Sequence, residues 1–132
     1  KGHGVYGNKG ASFHLDNVSV ENSEGEGVAV WGTKRNSMKN CNVSHSKTSG
    51  LAVQGGLPGL MTIDGNGTTI HHNCTRGYSG NYGLRTYDSF SSIHLVSPLT
   101  IETISKNNGG GGNHGGPGTI KTMTNNTKGA KK

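Results

Sequence analysis

The sequence predicts an all-β chain: a right-handed parallel β-helix (a β-solenoid) of about four to five irregular three-strand coils. Three observations carry this. Glycine supplies 24 of 132 residues, far above the usual ~7 %. Glycines that open short apolar runs recur at positions 4, 27, 50 and 83, so the first two intervals are both 23 residues. No long stretch spaces its apolar residues near 3.6, and Gly, Asn, Ser and Thr interrupt almost every ten residues, which favours turns over helix.

Internal repetition is the informative signal. The first run of each unit is Gly4-Val5-Tyr6-Gly7, Gly27-Val28-Ala29-Val30-Trp31, Gly50-Leu51-Ala52-Val53-Gln54 and Gly83-Leu84-Arg85-Thr86-Tyr87. A second run follows at Ser12–Leu15, Ser37–Asn40, Leu60–Ile63 and Ser92–Leu95. A third follows at Val18–Glu21, Val43–Ser46, Ile70–Asn73 and Ile104–Asn107. Three short period-2 segments per unit make one circuit of a solenoid, in which each strand pairs with its equivalent in the next circuit and alternate side chains fill a narrow core. The longer units absorb their surplus in turns, because an insertion within a strand would flip every later side chain. A fifth start falls in Gly109–Gly118, with Thr119–Met123 as a last strand. The β-helix domain is expected over 3–123, followed by a basic polar tail, 124–132, expected to fray.

Alternation assigns the core. Val5, Val28, Val30, Leu51, Val53 and Leu84 point inward from the first runs. Phe13, Leu15, Met38, Met61, Ile63, Ile93 and Leu95 do so from the second, and Val18, Val20, Val43, Ile70 and Ile104 from the third. Stacked equivalents form aliphatic ladders. Leu, Ile, Val and Phe total only 23 residues, so hydrogen bonding between coils has to supply much of the stability. A solenoid of this length also has two open ends whose strand edges invite protein neighbours.

In sequence style these units resemble the right-handed parallel β-helix repeat proteins of the pectin-lyase-like superfamily. More narrowly, they are similar to uncharacterised Gly- and Asn-rich β-helix proteins of algal and protist genomes. The stretch Ile104–Gly111 also looks like the F-x-x-N and G-G-A-I repeats of chlamydial polymorphic outer-membrane proteins, with Ile in place of Phe and no Ala-Ile following. The resemblance spans roughly residues 3–123 and implies architecture; one fold hosts many activities.

Function has to be sought on the outward positions. In the first runs these form two columns, Tyr6–Ala29–Ala52–Arg85 and Trp31–Gln54–Tyr87. Aromatics on a flat β face suit the C–H faces of sugar rings, while Gln and Arg reach hydroxyls. Trp31, Gln54, Arg85 and Tyr87 are therefore the expected ligand-binding residues, and a non-catalytic glycan-binding module is the expected function. The alternatives are a structural scaffold or peripheral subunit docked in a larger assembly, and a polysaccharide lyase or epimerase relative. The enzyme reading is disfavoured because the seven acids do not recur as a pair on this face, and Arg85 with Asp88 is an ordinary neighbourhood.

No metal site or cofactor is expected. His45 and His72 fall at equivalent positions of successive coils, but no Cys or carboxylate joins them. His71 and His72 are expected to point to opposite faces. His14 and His94 are expected in one outward column with Lys39 and Thr62 between them. Cys41 precedes the third run of its unit and Cys74 follows it, so both are expected as unbridged thiols.

The formal charge is +6, with eleven bases and three acids in residues 31–132. That favours an anionic polysaccharide or an acidic protein surface as partner. Nucleic acid is disfavoured, for no aromatic-interleaved Arg cluster or reading motif is present. No apolar run is long enough to span a membrane. Sequons at Asn17, Asn42, Asn66, Asn73 and Asn125 point to a secreted or cell-surface protein, while Asn ladders in β-helix turns are the competing explanation. No signal-peptide pattern appears at the start; with Lys1 in first place, a mature form or a fragment is expected.

Overall fold

A computed structural model describes residues 2–8, 11–33, 35–54 and 58–124. Of the expected basic tail only Thr124 falls within them. The chain winds as a parallel β-solenoid of about four turns. The first circuit holds β1 (Val5–Asn8), β2 (His14–Asp16) and β3 (Ser19–Glu21). The second holds β4 (Val28–Trp31), β5 (Asn36–Lys39) and β6 (Asn42–Ser44), and the third β7 (Leu51–Gln54), β8 (Gly59–Asp64) and β9 (Thr69–His71). The fourth holds β10 (Tyr82–Thr86), β11 (Ser91–Val96), one helical turn α1 (Ile101–Ile104) and β12 (Ser105–Lys106). Strands β13 (Gly112–Gly115) and β14 (Thr119–Met123) begin a fifth.

Every pairing is parallel, and each joins a strand to its equivalent one circuit on. The first sheet runs β1-β4-β7-β10-β13, the second β2-β5-β8-β11-β14 and the third β3-β6-β9-β12. Val28 pairs with Leu51, as the 23-residue interval requires. The opening glycines have a steric reason. A Cβ on Gly4, Gly27 or Gly50 would lie 2.6, 2.9 or 2.8 Å from the carbonyl oxygen of the next opening glycine, and against an inward aliphatic side chain as well.

The core is the expected set of ladders. Val28, Val30, Met38, Val43, Leu51, Val53, Met61, Ile63, Ile70, Leu84, Ile93 and Leu95 are 0 % exposed, while Val5, Phe13, Leu15 and Val18 of the first circuit are only partly buried. The register in the second and third sheets differs from the expected one. Met38 pairs with Ile63 rather than Met61, and Val20, not Val18, pairs with Val43. These shifts are by two residues and so preserve the inward face. The second sheet shifts because buried Asn36 takes the place opposite Met61. Its side chain donates to Thr33 O, Thr33 Oγ1 and Leu60 O and accepts from Phe13 N, which satisfies a polar group the core would otherwise reject. In the outward column, Ser37 rather than Lys39 therefore stands between His14 and Thr62, and His14 Nδ1 lies 2.6 Å from Ser37 Oγ. At β12 the shift is by one: Ser105 pairs with Ile70, and Ile104 ends α1.

The corners also repeat. Asn22, His45, His72 and Asn107, each one residue past the third strand of its circuit, all have φ between 54° and 61°. Asn and His tolerate this left-handed conformation better than most residues. One residue on, side-chain amides ladder through the turn: Asn73 Oδ1 accepts from Ser46 N, and Asn108 Oδ1 accepts from Asn73 N. The sequon residue Asn73 is 1 % exposed and its amide also donates to Val43 O and Asn108 Oδ1. At this position, turn stabilisation accounts for the asparagine. Asn17 and Asn66 are exposed, and Asn125 lies outside the described residues. Cys41 and Cys74 are both buried and free; burial pushes the Cys74 thiol up to about 11.

Candidate ligand-binding face

The outer face of the first sheet carries both expected columns. Tyr6, Ala29, Ala52 and Arg85 are successive register partners. Asn8, Trp31 and Gln54 are partners in the next column. Tyr87 follows Gln54 in that column, its backbone N donating to Val53 O at 3.0 Å. All four expected binding residues thus belong to one face.

They do not share one environment. Trp31 is 45 % exposed and Tyr6 41 %, whereas Tyr87 and Arg85 are half-buried and engaged. The Tyr87 hydroxyl donates to Glu26 at 2.9 Å, and the Arg85 guanidinium lies over the Tyr87 ring, 3.7 Å from its centre. Arg85 also donates to Asn81 Oδ1. Glu26 completes the group by pairing with His3 Nδ1 at 2.8 Å, and the His3 ring packs on Tyr6 at 4.8 Å.

Tyr87 sits on the fourth circuit and Glu26 at the entrance to the second, so their contact crosses the face between them. Ala29 and Ala52 lie there. Alternation turns them away from the aliphatic core, yet both are 0 % exposed. Burial, then the Glu26 charge, pushes the Tyr87 phenol up to about 12. The face has a closed flank, from His3 through Glu26 and Tyr87 to Arg85, beside an open one holding Trp31 and Gln54.

Sequence reading brought Trp31, Gln54, Arg85 and Tyr87 to this face but missed Glu26 and His3. Glu26 is 61 residues from Tyr87 and lies outside the repeated strands, so no period could pair them. Arg85 and Asp88, neighbours in sequence, have different partners: Asp88 accepts from Phe90 N and Ser91 Oγ and ties the following turn. Among the described residues no group of three or more His, Cys, Asp or Glu could hold a metal ion, and no helix is long and apolar enough to cross a membrane.

One expectation about the histidines fails. His71 and His72 do not diverge: their Nδ1 atoms lie 2.7 Å apart. The left-handed backbone at His72 breaks the strand alternation and turns its ring toward its neighbour. His45 and His72 do stack, with centroids 5.5 Å apart and planes 8° from parallel. Burial, then the nearby His72 and His45, holds the His71 imidazole below its usual 6.5.

No protein-family profile, curated protein sequence or solved structure matches this chain.

Proposed function

We propose that this solenoid is a non-catalytic module that binds a glycan on the outer face of its first sheet. The supporting observation is Trp31, the single tryptophan, 45 % exposed on a flat β face with Gln54 as its register neighbour. An indole this exposed offers a stacking surface to the apolar face of a sugar ring. The Gln54 amide can serve both donor and acceptor hydroxyls. The closed flank supplies a rigid wall whose Arg85 is held by Tyr87 and Asn81. The +6 charge favours an anionic polysaccharide. A secreted or cell-surface setting and a place in the pectin-lyase-like superfamily belong to the same reading, supported by the exposed sequons and the three parallel sheets.

Tryptophan fluorescence reports this face alone. Titration with neutral, sulfated and uronic-acid polysaccharides is expected to give a saturable change with at least one of them. Trp31→Ala is expected to abolish binding in calorimetry while leaving the circular dichroism spectrum intact. No response to any polysaccharide sinks the proposal. The scaffold reading would then be preferred, and it has its own support: Val5, Phe13, Leu15 and Val18 leave apolar surface at the first circuit, where a protein neighbour would continue the stack.

A further inference from the structure

The corner after the third strands holds a second cluster, unrelated to the glycan face. We propose that His71 and His72 form a two-imidazole chelate for a divalent transition metal that prefers square-planar or tetragonal coordination, Cu(II) first and Ni(II) second.

The geometry points to such a metal. Two nitrogens 2.7 Å apart, each about 2.0–2.1 Å from a metal, subtend roughly 80°. That is near the right angle between adjacent ligands in square-planar sites and well short of a tetrahedral angle, so it disfavours Zn(II). The remaining positions would fall to water, with the His45 ring stacked over His72 at 5.5 Å. Hollows open on both sides of His72: one of about 190 Å³ is lined by His71, Thr69 and Lys106 among others, and one of about 380 Å³ by His45, Thr75 and Asn107 among others.

The hydrogen bonds prepare His71 for this role. Its Nε2 lies 2.9 Å from Asn42 Oδ1, which also accepts from Thr69 Oγ1 at 2.8 Å. The Asn42 amide nitrogen donates to Ser19 Oγ, which donates to Glu21. An oxygen at that position requires a proton on Nε2 of the neutral imidazole and leaves the Nδ1 lone pair facing His72. Ligating histidines are commonly oriented by such an outer carbonyl. Without metal, His72 donates its Nδ1 proton to His71. On binding, that proton moves to His72 Nε2 and the two rings turn so that both Nδ1 lone pairs converge on the metal, with no net proton lost. In register, Lys106 flanks His71 on one side, opposing a cation, while Glu21 lies two circuits away on the other and favours one.

The test uses the full chain with His3→Ala, which removes a competing imidazole near the amino end. Calorimetry with Cu(II) is expected to show one site per chain, and its electron paramagnetic resonance spectrum should show coupling to two imidazole nitrogens. His72→Asn keeps the left-handed backbone that Asn22 and Asn107 already adopt at equivalent positions, so the fold should survive. That variant and His71→Gln should each weaken the site at least about ten-fold and remove one coupled nitrogen. Asn42→Ala, which alters only the positioning, should weaken it about ten-fold or more while both nitrogens stay coupled. His14→Ala should change nothing. Absence of saturable Cu(II) binding, or binding unaltered in both His71→Gln and His72→Asn, overturns the proposal.

Discussion

Two leucines at inward positions show how this fold is held together. Leu51, on the third circuit, is covered by rungs on both sides and is 0 % exposed. Leu15, on the first, pairs with Met38 on one side only and remains partly open. The side chain and the alternation are the same; the number of stacked neighbours differs. Burial in a solenoid is set by position along the axis, so the middle is a dry core and the first circuit a half-made one.

The largest expected effect tests that contrast directly. Leu51→Ala should cost about 2–5 kcal/mol, and Leu15→Ala well under half of that, because a partly open site leaves less cavity. Equal shifts in urea midpoint would break the comparison. Next comes the corner ladder. Asn73→Ala strands Ser46 N, bonded to its amide oxygen, at about 1–3 kcal/mol for a buried group left unpaired. Asn66→Ala, at an exposed turn, should stay within about 0.5 kcal/mol.

A smaller effect comes from pH. His71 and His94 both have depressed imidazole pKa values. Burial leads in each, followed by neighbouring histidines at His71 and by Lys121 at His94. The unfolded chain therefore takes up protons that the folded chain resists. The stabilisation is complete above the usual 6.5 and is lost as pH falls from there through the folded values. Urea midpoints should decline over that window, and the double variant His71→Gln/His94→Gln should flatten the slope; an unchanged slope would assign it to other groups. The smallest signal is spectroscopic. With its phenol raised to about 12, Tyr87 should remain protonated through pH 10–11 while the absorbance of ionised tyrosine develops, and Tyr87→Phe should remove only that late phase.

What could be read in advance was what the stacking repeats. Gly27 and Gly50, Val28 and Leu51, and the inward residues of all three runs recur because each rung presents the same steric demand to the next. Fine register was harder, since Asn36 looks like a turn residue and becomes a core residue only through four hydrogen bonds that span Phe13 to Leu60. The union of Tyr87 with Glu26 was hidden because it skips a circuit and joins a strand position to the residue before an opening glycine, which is His3, Ser49 or Tyr82 in the other units. The meeting of His71 and His72 was hidden for a different reason. Strict alternation forbids it, and only the left-handed step at His72 overrides that rule.

The glycine column has one more consequence. Each opening glycine demands little of the adjacent rung beyond a bare backbone at the same place, so the rung from Gly27 to Ser49 is close to self-templating. A copy inserted after Ser49 would find a glycine ahead and a glycine behind, with valines over valines. Length is then the property this architecture varies most cheaply: each duplicated rung would extend the outer face by about 4.8 Å while presenting another Trp31 in line with the first.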